Sequence, residues 1–133
     1  MSLPVIVRDL PAAVRARGPA AFVLTVSERG APHVVHARVE LTAGRLVAVV
    51  GASTARNAQS RREVSLLYPA RDSADYSLIV DATVTEVTGD GEHRLLLLPT
   101  RAVLHRPGAA PDPAASSCGS DCVPLTLREP ATG

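Results

Sequence analysis

A hydroxyl-rich stretch carrying one arginine, Gly51-Ala52-Ser53-Thr54-Ala55-Arg56-Asn57, stands where an apolar run gives way to a helical pattern. Ser53 to Arg62 reads as a short helix with Ser53 or Thr54 at its N-cap and no acidic residue in its first turn, so its positive end is left unneutralised. A helix start offers free backbone N–H groups to an anion, and Ser53, Thr54 and Arg56 add two hydroxyls and a guanidinium, a donor set suited to a monophosphate. The same residues equally suit an ordinary capped helix with a solvated arginine face and no ligand.

His36 and Arg38 form a second group. His33 to Leu41 alternates, with Val35, Ala37, Val39 and Leu41 on one face and His36, Arg38 and Glu40 on the other, so both basic side chains lie on the wet side of a strand. Such a face is either a binding surface or plain half-exposed sheet.

Other constellations lead elsewhere. Cys118 and Cys122, separated by three residues, lack the Cys-x-x-Cys spacing of redox sites, and the scattered His33, His36, His93 and His105 offer no obvious completion of a zinc site; reduced structural thiols and no metal are expected. Asp81 interrupts the apolar run Tyr76 to Val80 and, read as a carboxylate on the buried side of its strand, needs an arginine partner. Arg61-Arg62-Glu63 reads as a solvated helix end. No catalytic triad, paired carboxylates or nucleophile elbow stand out, so catalytic residues stay unassigned. All 14 basic residues are arginine; without lysine, Schiff-base and P-loop chemistry are excluded.

These residues need a scaffold, and the pattern around them is mostly β. After a short helix over Pro11 to Arg17, which would cap one end of a barrel, strands are expected over Ala21 to Ser27, His33 to Leu41 and Arg45 to Val50, with a turn at Glu28-Arg29-Gly30-Ala31-Pro32. Val64 to Tyr68 and Tyr76 to Val87 follow, and the chain turns at Gly89-Asp90-Gly91 into a partner over Glu92 to Leu104 that Pro99 interrupts. Residues 107–117 read as an irregular Pro/Ala/Ser loop, and Cys122 to Leu127 as a last short strand. Hairpin spacing with few helices predicts an antiparallel barrel, and 133 residues make a single domain.

The order of elements from about Ala21 to Val87, with Gly-Ala-Ser-Thr-Ala-Arg-Asn after the third strand and Val-Ser-Leu-Leu-Tyr-Pro after the helix, resembles the pyridoxamine 5'-phosphate oxidase-like family. The resemblance implies a mainly β, six-stranded antiparallel split barrel with short helices that forms a homodimer, with FMN in the groove between subunits. It places the flavin phosphate at Val50, Gly51, Ser53, Thr54, Arg56 and Asn57. It puts His36 and Arg38 near phosphate or ring edge, and Tyr68 beside the ring or on the barrel rim. Many relatives carry Lys where this chain has Thr54, and Arg56 is the nearby positive charge.

Two readings of function follow from the resemblance. One is an FMN-dependent oxidoreductase acting on a small organic substrate, with a deazaflavin as alternative cofactor. The other is a non-enzymatic barrel that sequesters flavin or serves as a cofactor-free dimeric scaffold. The long substrate-binding tail of pyridoxamine-phosphate oxidation has no counterpart in the ending LREPATG. A net charge of +1 and three aromatic residues supply no nucleic-acid footprint, and no apolar run approaches the roughly 20 residues of a membrane helix. A soluble, cytoplasmic protein is expected.

Overall fold

The computed structural model describes residues 2–72 and 74–108. The expected strand over 122–127 and both cysteines lie outside these residues, as does nearly all of the expected loop over 107–117. The described elements are β1 (Ser2–Pro4), α1 (Leu10–Arg15), β2 (Ala20–Val26), β3 (Pro32–Thr42), β4 (Arg45–Val50), α2 (Ala52–Ser60), β5 (Glu63–Tyr68), β6 (Ser77–Thr88) and β7 (His93–His105).

The strands pair in the order β7-β4-β3-β2-β5-β6, every pair antiparallel, and β6 pairs back onto β7 to close a six-stranded barrel. The short β1 adds to the far end of β7 through Pro4↔Val103 to Ser2↔His105. Successive strands run up and down, so α2, which links the end of β4 to the start of β5, lies at one end of the barrel. The helix α1, which leads into β2, lies at the other.

Alternation decides which side chains fill the interior. Ala21 and Val23 of β2, Ala37 and Val39 of β3, and Leu46, Ala48 and Val50 of β4 point inward, with Val64 and Leu66 from β5, Leu78, Val80, Ala82 and Val84 from β6, and Leu95 and Leu97 from β7. With Phe22 facing outward, branched aliphatics supply most of the volume; full burial of one such Val or Leu contributes about 1.5–3 kcal/mol. Leu10 and Val14 join this core from α1, as a helix capping the barrel requires, and Ala55 and Ala58 join it from α2.

Pro99 sits inside β7 without breaking it. The register passes from Asp81↔Arg101 to Ala82↔Pro99, leaving Thr100 as an extra, bulged residue. Pro99 also falls in the gap between the β4 ladder, which ends at Leu46↔Leu97, and the β1 ladder, which begins at Pro4↔Val103, where no N–H is called for.

Three expectations need correction. The N-cap of α2 is Gly51, with extended backbone at φ −87° and ψ −178°, rather than Ser53 or Thr54. Asp81 lies on the outer face, half-buried, where Ser65 Oγ donates to its Oδ1 at 2.7 Å and Arg101 Nη1 reaches its Oδ2 at 3.4 Å. The arginine partner is present, but on the solvent side. Arg61 and Arg62 are more than a solvated end: Arg61 Nε and Nη2 donate to the carbonyls of Ser27 and Glu28 at 2.9 and 3.1 Å, and Arg62 Nη1 donates to the Val84 carbonyl at 3.0 Å. These bonds tie the end of α2 to the β2–β3 turn and to β6.

Candidate functional site

The first hydrogen bond of α2 runs from the Ala55 N–H to the Gly51 carbonyl at 3.1 Å, so the amides of Ala52, Ser53 and Thr54 precede the helical ladder. No acidic residue stands in the first turn, and a Cβ placed on Gly51 would meet nothing within 4 Å. Among the described residues the positive end of the helix is therefore open and uncompensated. Ser53 and Arg56 are exposed beside it.

Thr54 and Asn57 take the opposite face of the same helix. Thr54 is only 2% exposed, and the buried Asn57 donates from Nδ2 to Thr25 Oγ1 at 3.2 Å, pinning α2 to β2. Val50 is in the core. These three side chains build the helix into the barrel and are turned away from the face on which Ser53 and Arg56 are exposed. The helical period accounts for the split: Ser53 and Arg56 share one face, Thr54, Ala55 and Ala58 the other.

Tyr68 is also corrected. It follows Val64 and Leu66 on the inward side of β5, is fully buried, and its hydroxyl has no hydrogen-bond partner among the described residues. Burial pushes its pKa up to about 12. Its side chain belongs to the barrel interior rather than to the rim.

His36 and Arg38 lie on the outside of β3, as their alternation requires. Arg38 pairs with Val49, the last pair of the β3–β4 ladder and two residues before Gly51, so Arg38 stands where β4 leads toward the start of α2, with His36 two residues away along β3. The His36 ring stacks on Phe22 of β2 with centroids 4.6 Å apart and planes 21° from parallel, which gives the patch a flat apolar floor next to its cationic edge. Next to it, Val34 is 53% exposed and pairs with Leu24. The outer face continues into a groove of about 510 Å³ whose lining includes Leu24, Val26, Pro32, Ser65 and Arg101.

The structure adds a residue that the sequence did not suggest. Val49 pairs with Arg38 on one side and with Arg94 of β7 on the other, so the two arginines flank one valine in a single outward row. Arg38 contacts Glu40 at 3.5 Å and Arg94 contacts Glu92 at 3.5 Å, all four side chains being largely exposed. Only the β4–β7 register, which joins segments more than forty residues apart, could have revealed Arg94.

Ser53, Arg56, Arg38 and the first amides of α2 are exposed hydrogen-bond donors, and the Phe22–His36 stack is a flat apolar surface on the same outer face as Arg38. Among the described residues no three of His, Cys, Asp and Glu come together as metal ligands, and no helix is long and apolar enough to cross a membrane.

No family model matches the sequence. The chain is 40% identical over 85 residues to uncharacterized proteins of Mycobacterium bovis and Mycobacterium tuberculosis, covering 61% of its own length. It spans about 60% of the length of these curated relatives. Among solved structures, a Clostridium acetobutylicum protein related to general stress protein 26, of the pyridoxinephosphate oxidase family, matches with TM-score 0.61 at 12% identity, over 77% of this chain and 91% of that one. An FMN-binding protein from Syntrophomonas wolfei matches with TM-score 0.59 at 8% identity, over 72% and 83%. An F420 reductase matches with TM-score 0.58 at 15% identity, over 65% and 90%. The heme storage protein HutZ of Vibrio cholerae is a further structural neighbour. The resemblance to the pyridoxamine 5'-phosphate oxidase-like proteins thus holds at the level of fold: the chain is a split barrel of the kind on which flavin-binding proteins are built.

Proposed function

We propose that this protein binds a phosphate-bearing flavin, FMN in the first instance, between two copies of the chain, and that it is an oxidoreductase acting on a small organic substrate. The observation that carries the reading is that the outward Arg38 pairs with Val49, two residues before Gly51 and the α2 start where Ser53 and Arg56 are exposed, with His36 on the same outer face of β3. Backbone amides, a hydroxyl and two guanidiniums suit a phosphate, and the Phe22–His36 stack suits the edge of a ring system. Bound there, a flavin supplies electron transfer through its N5, while the chain's residues hold the phosphate and orient the ring. The exposed Val34 and the apolar groove beside the patch support a second copy seated against this face.

A second reading is a barrel that sequesters flavin, or does without it, and catalyses nothing. The burial of Thr54 supports it, because the first turn of α2 then contributes one hydroxyl rather than two to an anion. The F420 reductase among the structural neighbours keeps a deazaflavin as the alternative cofactor.

The test is to incubate the full chain with FMN, a deazaflavin or haem in turn, pass each mixture through gel filtration, and read mass and visible spectrum together. A dimer that retains FMN is expected. Retention of haem alone, or of no cofactor, would contradict the flavin reading.

A further inference from the structure

On the outer face, Ala20, Arg38, Val49 and Arg94 stand in one cross-strand row over β2, β3, β4 and β7. Neighbouring strands lie about 4.8 Å apart, so the Cα atoms of Arg38 and Arg94 are about 10 Å apart, within the joint reach of two arginine side chains. Between them is a valine, and beyond Arg38 an alanine; neither blocks the approach of a ligand from outside. Val49 is also two residues from Gly51, so the row leads into the open start of α2.

Among the described residues each guanidinium is engaged only by a glutamate two residues along its own strand, Arg38 with Glu40 and Arg94 with Glu92, at 3.5 Å. Exposed pairs at that distance hold their partners weakly, and an anion able to accept two parallel N–H bonds competes well for an arginine fork. Glu92 has a second consequence: placed next to Arg94, its charge opposes a ligand anion there.

We propose that Arg94 is an anion-binding residue of this site, acting with Arg38 across Val49. The cofactor's phosphate would then lie along the β3–β4–β7 face as well as against the helix start. The inference rests on the phosphate-cofactor reading above and deepens it: it selects for flavins with an anionic tail over those without one.

The experiment compares FMN and riboflavin binding to wild type, Arg94→Gln and Glu92→Gln, with thermal unfolding as a control for folding. Arg94→Gln is expected to weaken FMN by about 10- to 100-fold, the range of one charge-assisted hydrogen bond, while riboflavin binding holds. Glu92→Gln, which frees Arg94, is expected to strengthen FMN binding severalfold, an effect that a merely structural role of Arg94 would not produce. Equal FMN affinity in wild type and Arg94→Gln overturns the inference and leaves the flavin reading intact. If wild type binds neither flavin, the flavin reading fails, and an NMR titration with inorganic phosphate decides the arginine pair. Shifts of the Arg38 and Arg94 Nε–H signals would sustain it, and unmoved signals would overturn it.

Discussion

Asn57 Nδ2 donates to Thr25 Oγ1 at 3.2 Å, both side chains buried where α2 meets β2, and this bond fixes the helix whose first turn faces the candidate ligand. Thr25→Val keeps the shape and removes the acceptor, leaving a buried donor unmatched. A loss of about 1–3 kcal/mol is expected by urea unfolding. A variant as stable as wild type would mean that the packing of Ala55 and Ala58, with the Arg61 and Arg62 bonds, holds the helix without it.

Tyr68 carries a buried hydroxyl without a partner among the described residues, and its pKa is raised by burial from 10.0 to about 12. The folded-state value lies above the unfolded one, so the stability linked to the un-ionised phenol is complete below pH 10 and drains as pH rises from about 10 through 12. Tyr68→Phe removes the desolvated hydroxyl and is expected to equal or exceed wild type at pH 8, by up to about 1 kcal/mol. It should also lose less stability between pH 10 and 12. Urea unfolding at pH 8 and pH 11 reads both effects; a variant that declines in parallel with wild type places the alkaline sensitivity elsewhere.

The barrel was legible where one face is wet. In β3 the period-2 pattern of Val35, Ala37, Val39 and Leu41 against His36, Arg38 and Glu40 fixed both the strand and its outward basic pair. Tyr68 was misread because a tyrosine at a strand end suits a rim, although the period Val64, Leu66, Tyr68 already turned it inward. Ser53 and Thr54 put the N-cap two or three residues too far along, since cap preference is a local propensity and the extended backbone at Gly51 directly follows β4. Asp81 was placed on the wrong face because an apolar run on a barrel strand does not say which side is inside. Arg94 depends on a long-range register that no local pattern encodes.

Gly89 opens the β6–β7 turn with φ +95°, and an added Cβ would run into the Glu92 carbonyl oxygen. Neither the backbone conformation nor the space admits a side chain. Gly89→Ala is expected to destabilise the longest hairpin of the barrel by about 1–3 kcal/mol. Thermal unfolding checks this, and a melting temperature matching wild type would show that the turn can rearrange at no cost.

Arg56 is exposed next to the start of α2 and carries no structural hydrogen bond among those described. Arg56→Ala should leave folding unchanged and weaken FMN by about tenfold or more, as loss of one charge-assisted bond requires. Equilibrium titration measures it; undiminished affinity would move the phosphate away from this helix face.

The most direct test of the account is a fluorescence-quenching titration of the full chain with FMN and, in parallel, riboflavin. The two ligands share a ring and differ by the phosphate that Ser53, Arg56, Arg38 and the free amides of α2 are positioned to receive. Saturable FMN binding with riboflavin markedly weaker is the expected result. Equal affinity for the two, or binding of neither, would contradict a phosphate site on this barrel.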